Sequence, residues 1–309
     1  MSRKTRNRKR KTKNWTPQNR PIETLHVNRN EQLLEYLLSE LPNYSRNKVK
    51  GFLRRKQVAV NGVPVSQFDY PLTKKDTVVI HERSIVTHQQ EIERLNIIYE
   101  DEDFLVINKP AGLLSVASDT EKRHTAYRYA SDYLKLSNPR ARVYVVHRID
   151  KETSGVLMFV KRAALRDAFT KRWNNLVKER AYVAVTAGVP AKKEDVLKDY
   201  LFTNFTNLMY VGNKSPDSVL AITKYKVVAA NEKYALLDIR IETGKKNQIR
   251  VQLKNIGTPV IGDDKYDIKE NPLDRLGLHA YRLVFNHPNS NKRFEFKAPI
   301  PVSFENVVK

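Results

Sequence analysis

From residue 96 onward the chain is written as short apolar runs at strand spacing, broken by polar turns and only rarely by helical periodicity. That pattern constrains the fold more than any other feature of the sequence. Residues 97–99, 104–107, 143–146, 156–160, 181–185, 218–228, 235–241 and 278–285 read as strands; only 125–136 and 163–173 read as helices. Many strands with few helical crossovers predict an α+β domain built on a mostly antiparallel mixed sheet.

Ahead of it, residues 21–88 read as a small α/β module. Asn28 and Glu31 have capping-box spacing, and Leu34, Leu37, Leu38 and Leu41 repeat at helical intervals before Pro42. Ser45 is placed to cap a second helix, in which Val49, Phe52 and Leu53 form one face. Arg46, Lys48, Lys50, Arg54 and Arg55 form the other, with no acid among them. Asn61-Gly62 between 58–60 and 63–65 predicts a hairpin, and 77–80 a closing strand. Residues 1–20 carry nine Lys or Arg and no acid, without apolar periodicity, and read as a disordered basic tail. Residues 83–95 read as a linker, so the expected division is 1–20, 21–88 and 89–309.

The charge points to a class of partner. Lys and Arg number 56 against 34 Asp and Glu, a formal +22, and the tail accounts for less than half of it. Such a chain favours polyanions, nucleic acid above all. It has no cysteine, which excludes disulfides, thiolate metal sites and a Cys nucleophile. No apolar run approaches the roughly 18–20 residues of a membrane span. No apolar segment follows the basic start, so no secretory signal and no membrane are expected, and the cytoplasm is the expected location.

Two stretches carry side chains suited to chemistry. In the first, an apolar strand delivers His147-Arg148-Ile149-Asp150 into a turn, and a second apolar strand leaves through Thr153-Ser154-Gly155. The second runs from Thr243-Gly244-Lys245-Lys246-Asn247-Gln248-Ile249-Arg250 to Gly262-Asp263. Arg250 falls in a periodic segment and can face inward, where it would need an acidic partner. The spacing does not name that partner. His147, His279 and His287 fit no metal-ligand spacing, and Gly262-Asp263-Asp264 is too short for a calcium loop, so no metal is expected.

These stretches resemble the RluA-type pseudouridine synthase family. His147 to Asp150 with Thr153-Ser154-Gly155 matches its central motif, and Ile107-Asn108-Lys109-Pro110-Ala111-Gly112-Leu113 its first. Residues 243–263 match its third, and Leu278-His279-Ala280 with Leu283 and His287-Pro288 its last. The likeness covers about 95–301. The stretch 33–41, Ser45-Arg46-Asn47-Lys48-Val49 and Val58-Ala59-Val60-Asn61-Gly62 resemble an S-four type RNA-binding domain, with Lys75-Asp76 where that family usually has Gly-Asp.

The resemblance implies a pseudouridine synthase fold and the isomerisation of uridine in structured RNA without a cofactor. Asp150 would be the nucleophile and Arg250 its ion-pair partner. Tyr182 would pack on the flipped base and assist proton removal from carbon 5. Arg148 and His147 of the turn, Lys245 and the five cations of the second helix would bind RNA. Ribosomal RNA of the large subunit is favoured, transfer RNA is compatible, and a monomer without protein partners is expected. Here the third motif reads Gly-Lys-Lys-Asn-Gln-Ile-Arg, where the family commonly has Gly-Arg-x-His-Gln-Ile-Arg. Gln252 stands for a common His and Arg180 for a common Lys. Two other readings remain: a noncatalytic RNA-binding or ribosome-assembly protein on the same fold, and a nucleoside or glycoside hydrolase using Asp150, which would need a second carboxylate.

Overall fold

A computed structural model describes residues 21–82, 84, 85, 95–206 and 208–309. The basic tail and most of the expected linker lie outside the described residues. The chain divides into two compact units, Met1–Glu91 and Ile92–Lys309.

The first unit holds β1 (Pro21–His26), β2 (Glu31–Gln32), α1 (Leu33–Glu40), α2 (Arg46–Arg54), β3 (Val58–Val60), β4 (Val63–Pro64), β5 (Pro71–Leu72) and β6 (Thr77–His81). Four strands form a sheet in the order β1-β6-β3-β4, and β2 pairs with β5. Leu33 and Leu37 of α1 and Val49, Phe52 and Leu53 of α2 are buried with the sheet residue Ile80 in one core. The expected capping box does not form. Glu31 and Gln32 are taken up by the ladder with β5, the Glu31 carboxylate pairs with Arg29, and α1 starts from Gln32 without a side-chain cap. Ser45 does cap α2, its side chain accepting from the Lys48 N–H at 3.3 Å. Asn61 and Gly62 both take positive φ, 50° and 80°, which is what a two-residue hairpin of this hand requires.

The second unit holds β7 (Ile97–Glu100), β8 (Phe104–Lys109), α3 (Ala126–Ser137), β9 (Tyr144–Val145), β10 (Ser154–Val160), α4 (Ala163–Leu176), β11 (Val177–Ala187), β12 (Glu194–Thr203), β13 (Met209–Gly212), β14 (Val219–Ala230), β15 (Tyr234–Ile241), α5 (Gln248–Asn255), β16 (Leu278–Asn286), β17 (Arg293–Lys297) and α6 (Val302–Asn306). Its sheet runs β13-β12-β14-β15-β11-β16-β10-β8-β7, with β17 on β16 and β9 on β10. From Val156 to Val160 β10 is apolar, in keeping with cover on both of its faces. Val156, Met158 and Val160 pack with Leu165 and Phe169 of α4. Leu157 and Phe159 pack with Ala126 and Ala130 of α3.

Among the described residues all pairs of named strands but one are antiparallel. The exception, β10 with β16, is what builds the site, because it sets the two strand starts side by side: Ser154 pairs with His279 and Gly155 with Ala280. The approach is so close that a Cβ at Gly155 would lie 2.1 Å from the Ala280 carbonyl oxygen. Only glycine fits there, at φ +115°. Across β16, the ladder with β11 shifts register between Ala181 and Val183, so Tyr182 sits at an irregularity of the kind that re-aims a side chain.

Candidate active site

The turn that carries Asp150 joins β9 to β10 and is held from several sides. The Ser115 hydroxyl donates to the Ile149 carbonyl at 2.7 Å, and the Thr153 N–H donates to the Asp150 carbonyl at 3.2 Å. Beneath it lies Lys109, at the end of β8 and fully buried. Its Nζ donates to the carbonyls of Pro110, Leu113 and Lys151 at 2.9, 2.7 and 2.9 Å. Burial pushes the Lys109 ammonium down to about 7, against the opposing pull of Glu152 and Asp150. Three carbonyl acceptors use all three N–H donors of the ammonium, so this cradle favours the charged form.

Arg250 projects from the first turn of α5, where Gln248 to Leu253 are all buried. The acid it requires is chiefly Asp263. Nε donates to Asp263 Oδ2 at 2.7 Å, and Nη2 forms a second, short charge-assisted bond to Oδ1. The third nitrogen, Nη1, lies 3.7 Å from Asp150 Oδ2. The resemblance implied Asp150 as the partner of Arg250; in the structure Asp263 takes the fork and Asp150 the longer contact. Arg250 and Asp263 are 5% and 2% exposed, whereas Asp150 is 29% exposed and open to a reactant. Burial would lower the Arg250 pKa, but the hydrogen bond and charge of Asp263 and the charge of Asp150 outweigh it and leave it raised.

Asn247, immediately before α5, adds a neutral donor. Its Nδ2 donates to Asp150 Oδ2 at 3.0 Å, while its Oδ1 accepts from Lys265 Nζ at 3.0 Å. His147 sits two residues outside β9, with its ring 5.4 Å from that of Trp173. Its Nε2 accepts the Met158 N–H at 2.9 Å. Burial, and then the nearby Arg180 charge, push its pKa down to about 3. The ring is therefore neutral at physiological pH and its Nε2 is committed to the fold, which leaves no cation there to grip phosphate.

Asp150, Tyr182 and Arg250 line one cleft of about 550 Å³, together with Arg148, His147 and Lys245. Its lining cations are Arg148, Arg180, Lys245, Lys246 and Arg250, and among the described residues Asp150 is the only carboxylate on its wall. A second recess, of about 620 Å³, shares Arg148, Asp150, Lys246, Asn247 and Arg250 with the first, so Asp150 stands where the two meet. Burial pushes the Tyr182 hydroxyl up to about 12, with Arg180 opposing and Asp150 adding to the shift. The ring is a neutral phenol at neutral pH.

A model of the RNA pseudouridylate synthase family matches residues 103–255, the span that holds Asp150, Tyr182 and Arg250. An RNA pseudouridine synthase of Mycoplasma genitalium is 34% identical over 285 residues, covering 89% of this chain and 91% of its own. The chain belongs to the RNA pseudouridine synthase family. The ribosomal large subunit pseudouridine synthase D of Pasteurella multocida is 29% identical over 300 residues, covering 90% of each chain. Among solved structures, human RNA pseudouridylate synthase domain containing 4 superposes with a TM-score of 0.59 at 22% identity, covering 71% of this chain and 94% of its own. That likeness shows a pseudouridine synthase fold.

Sequence reasoning names Asp263 without assigning it to Arg250, and does not single out Trp173 or Lys265 as lining residues. Asp263 lies 13 residues beyond Arg250, a separation that follows no helical or strand rule. Trp173 reads only as the end of a helix, and nothing in the sequence singles out Lys265. The cations of α2 stand in the first unit, with Arg46, Lys48, Arg54 and Arg55 exposed and Lys50 half-buried. Lys48 Nζ lies 4.8 Å over the Tyr44 ring and Lys50 Nζ 5.8 Å over Phe68, so cations and aromatic faces alternate there. Among the described residues no helix is long and apolar enough to cross a membrane, and no group of three or more His, Asp or Glu side chains is arranged to hold a metal ion.

Proposed function

We propose that this synthase isomerises uridines of large-subunit ribosomal RNA, with Asp150 as the nucleophile, Arg250 as its charge partner and Tyr182 as the face on which the flipped base stacks. One observation carries the reading: a single carboxylate, half-exposed, on the wall of a cleft lined by five cations. The cations suit a phosphate backbone, and the carboxylate suits covalent catalysis. In the reaction Asp150 bonds to the substrate, and the electron pair of the bond between ribose and ring nitrogen leaves with the uracil. The base turns and reattaches through carbon 5, the carboxylate is released, and the proton lost from carbon 5 is balanced by one gained at the nitrogen. The same two fragments are parted and rejoined, so no cofactor is required. Flipping costs a few kcal/mol, of which one stacked aromatic returns about 1–3.

A hydrolase that uses paired acids is poorly served within this cleft: among the described residues Asp150 is its one lining carboxylate, Asp263 is buried and bound to Arg250, and Glu152, Asp264 and Asp274 line the adjoining recess instead. The choice of RNA rests on the description of the Pasteurella relative and on the first unit. There the basic face of α2 and the sequence likeness of this unit to an S-four type domain support a module that reads folded RNA by shape.

The test is a map of pseudouridine in RNA from a strain lacking the protein, complemented with wild type or with Asp150→Asn. Specific uridines of large-subunit RNA should lose modification and regain it with wild type alone. Restoration by Asp150→Asn at the wild-type rate would remove the nucleophile assignment. Loss confined to transfer RNA would move the substrate. An unchanged map with defective ribosomal particles would favour the noncatalytic reading.

A further inference from the structure

Two of the three nitrogens of Arg250 are spent on Asp263, so the closest donor to Asp150 is not the guanidinium. It is the Asn247 amide, at 3.0 Å from Oδ2 against 3.7 Å for Arg250 Nη1. Two charges at 3.0 Å set the orientation of that amide, against a longer contact of 3.4 Å to Arg250 Nη1 that the opposite orientation would favour. Turned the other way, its oxygen would face the carboxylate and its nitrogen would face the Lys265 ammonium. Asn247 is buried, 6% exposed, and takes a left-handed backbone, φ +52°, at the entry to α5. That conformation is unusual outside glycine, though asparagine adopts it more readily than most residues, and it delivers Asn247 and Arg250 to the same oxygen from one helix start. Lys265 lies two residues beyond Asp263 in a short 3-10 turn, Asp264–Tyr266. One turn thus holds both donors: Asp263 holds Arg250, and Lys265 holds Asn247.

We propose that Asn247 and Lys265 are positioning residues for the nucleophile: the lysine sets the amide, and the amide holds Oδ2 of Asp150 so that Oδ1 is the oxygen that attacks. The inference rests on Asp150 being the nucleophile. A carboxylate rotates freely unless one oxygen is pinned, and a well-placed reactant is worth orders of magnitude in rate. The Asn247 amide donates to Oδ2 and the Arg250 charge lies 3.7 Å from the same oxygen, while among the described residues no side-chain or backbone group donates to Oδ1. An oxygen free of donors keeps its lone pairs for attack. The charged groups facing Lys265 are Lys246, Arg250, Asp150 and Asp263. Burial and then the two cations lower its pKa, while the two acids oppose this. Much of the Lys265 side chain remains exposed, so its hold on the amide is weaker than a buried one.

The experiment compares full-length Asn247→Ala, Asn247→His, Lys265→Met, Lys265→Arg and Asp150→Asn on RNA purified from the deletion strain. Single-turnover rate, RNA Kd and thermal melting are read for each. Asn247→Ala should slow turnover about 10- to 100-fold, with Kd within about threefold. Asn247→His restores an N–H donor and should recover most of the rate. Lys265→Met should cost about three- to tenfold, recovered by Lys265→Arg. A wild-type rate in both Asn247→Ala and Lys265→Met overturns the proposal, as does a loss shared equally by rate and Kd that histidine does not rescue. Should Asn247→Ala fail to melt as a folded protein, the Lys265 pair decides by the same criteria. An inactive Asp150→Asn beside a fully active Asn247→Ala sinks the positioning role alone; a fully active Asp150→Asn sinks the nucleophile.

Discussion

A guanidinium that is 5% exposed survives in a protein only if its charge is met, and at Arg250 two carboxylates share the task unequally. Asp263 meets the planar fork, and Asp150 gets the remaining nitrogen at a distance that leaves it half-open to solvent. The division has a chemical logic: a nucleophile clamped by both oxygens would be well oriented and poorly reactive. Asp263→Asn removes the structural half of the arrangement. It should destabilise the fold by about 3–5 kcal/mol in urea unfolding, because it strands a buried charge. Asp264→Asn, next door and exposed, should stay within about 0.5 kcal/mol. Equal effects of the two would mean that Asp263 does not carry the Arg250 charge. The His-Arg-Ile-Asp turn and Arg250 were legible because their motifs are contiguous. Asp263 was not, since nothing in sequence ties an acid in a loop to a helix 13 residues earlier. Asn247 read only as a departure from a common histidine, and its bond to Asp150 depends on the fold.

At the scale of elements, one parallel pairing in an otherwise antiparallel sheet brings the turn before β10 beside the start of β16. Gly155 is the residue that permits it. Gly155→Ala puts a Cβ 2.1 Å from the Ala280 carbonyl oxygen, at a φ that side chains rarely adopt. Neither obstacle relaxes without parting the two strands. A loss of at least about 3 kcal/mol is expected, read as a lowered melting temperature with activity lost in parallel. A variant that melts with wild type would show that the strands can separate at no cost. The plainest strand signal in the sequence belongs to β10, where seven residues in a row are buried. β12, β13 and β17 were passed over. They lie toward sheet margins or off its main path, and β12 and β17 interleave charged and apolar residues with few buried positions, which weakens the apolar signal. The false capping box before α1 has a similar cause, since Asn28 and Glu31 have the right spacing but Glu31 is claimed by a strand ladder.

For the whole molecule, the balance between a basic surface and neutral buried imidazoles sets the response to acid. Burial, aided by the Arg180 charge, holds His147 at about 3, and burial, against the backbone hydrogen bond at Ala298, holds His279 at about 4, both below the ordinary value of 6.5. Their unfolded forms take up a proton near 6.5, while the folded forms refuse it until the pH is much lower. Between those limits the unfolded chain binds more protons, so stability falls as the pH drops from about 6.5 towards 4. Each fully buried imidazole contributes at most about 1.4 kcal/mol per pH unit. The share of His147 is smaller, because it lines the cleft and meets solvent there, so His279, 1% exposed, should dominate. A net charge of +22 adds self-repulsion over the same range as carboxylates neutralise, and the two effects must be separated. His279→Asn with His147→Gln does so: both replacements keep polar side chains and neither titrates. The double variant, though less stable at pH 7.5, should lose less stability than wild type between pH 6.5 and 4.5 in urea unfolding at fixed ionic strength. Parallel curves would mean that the folded protein already carries these histidines protonated, and that the neutral ring supporting the Asp150 turn through the Met158 N–H is wrongly assigned.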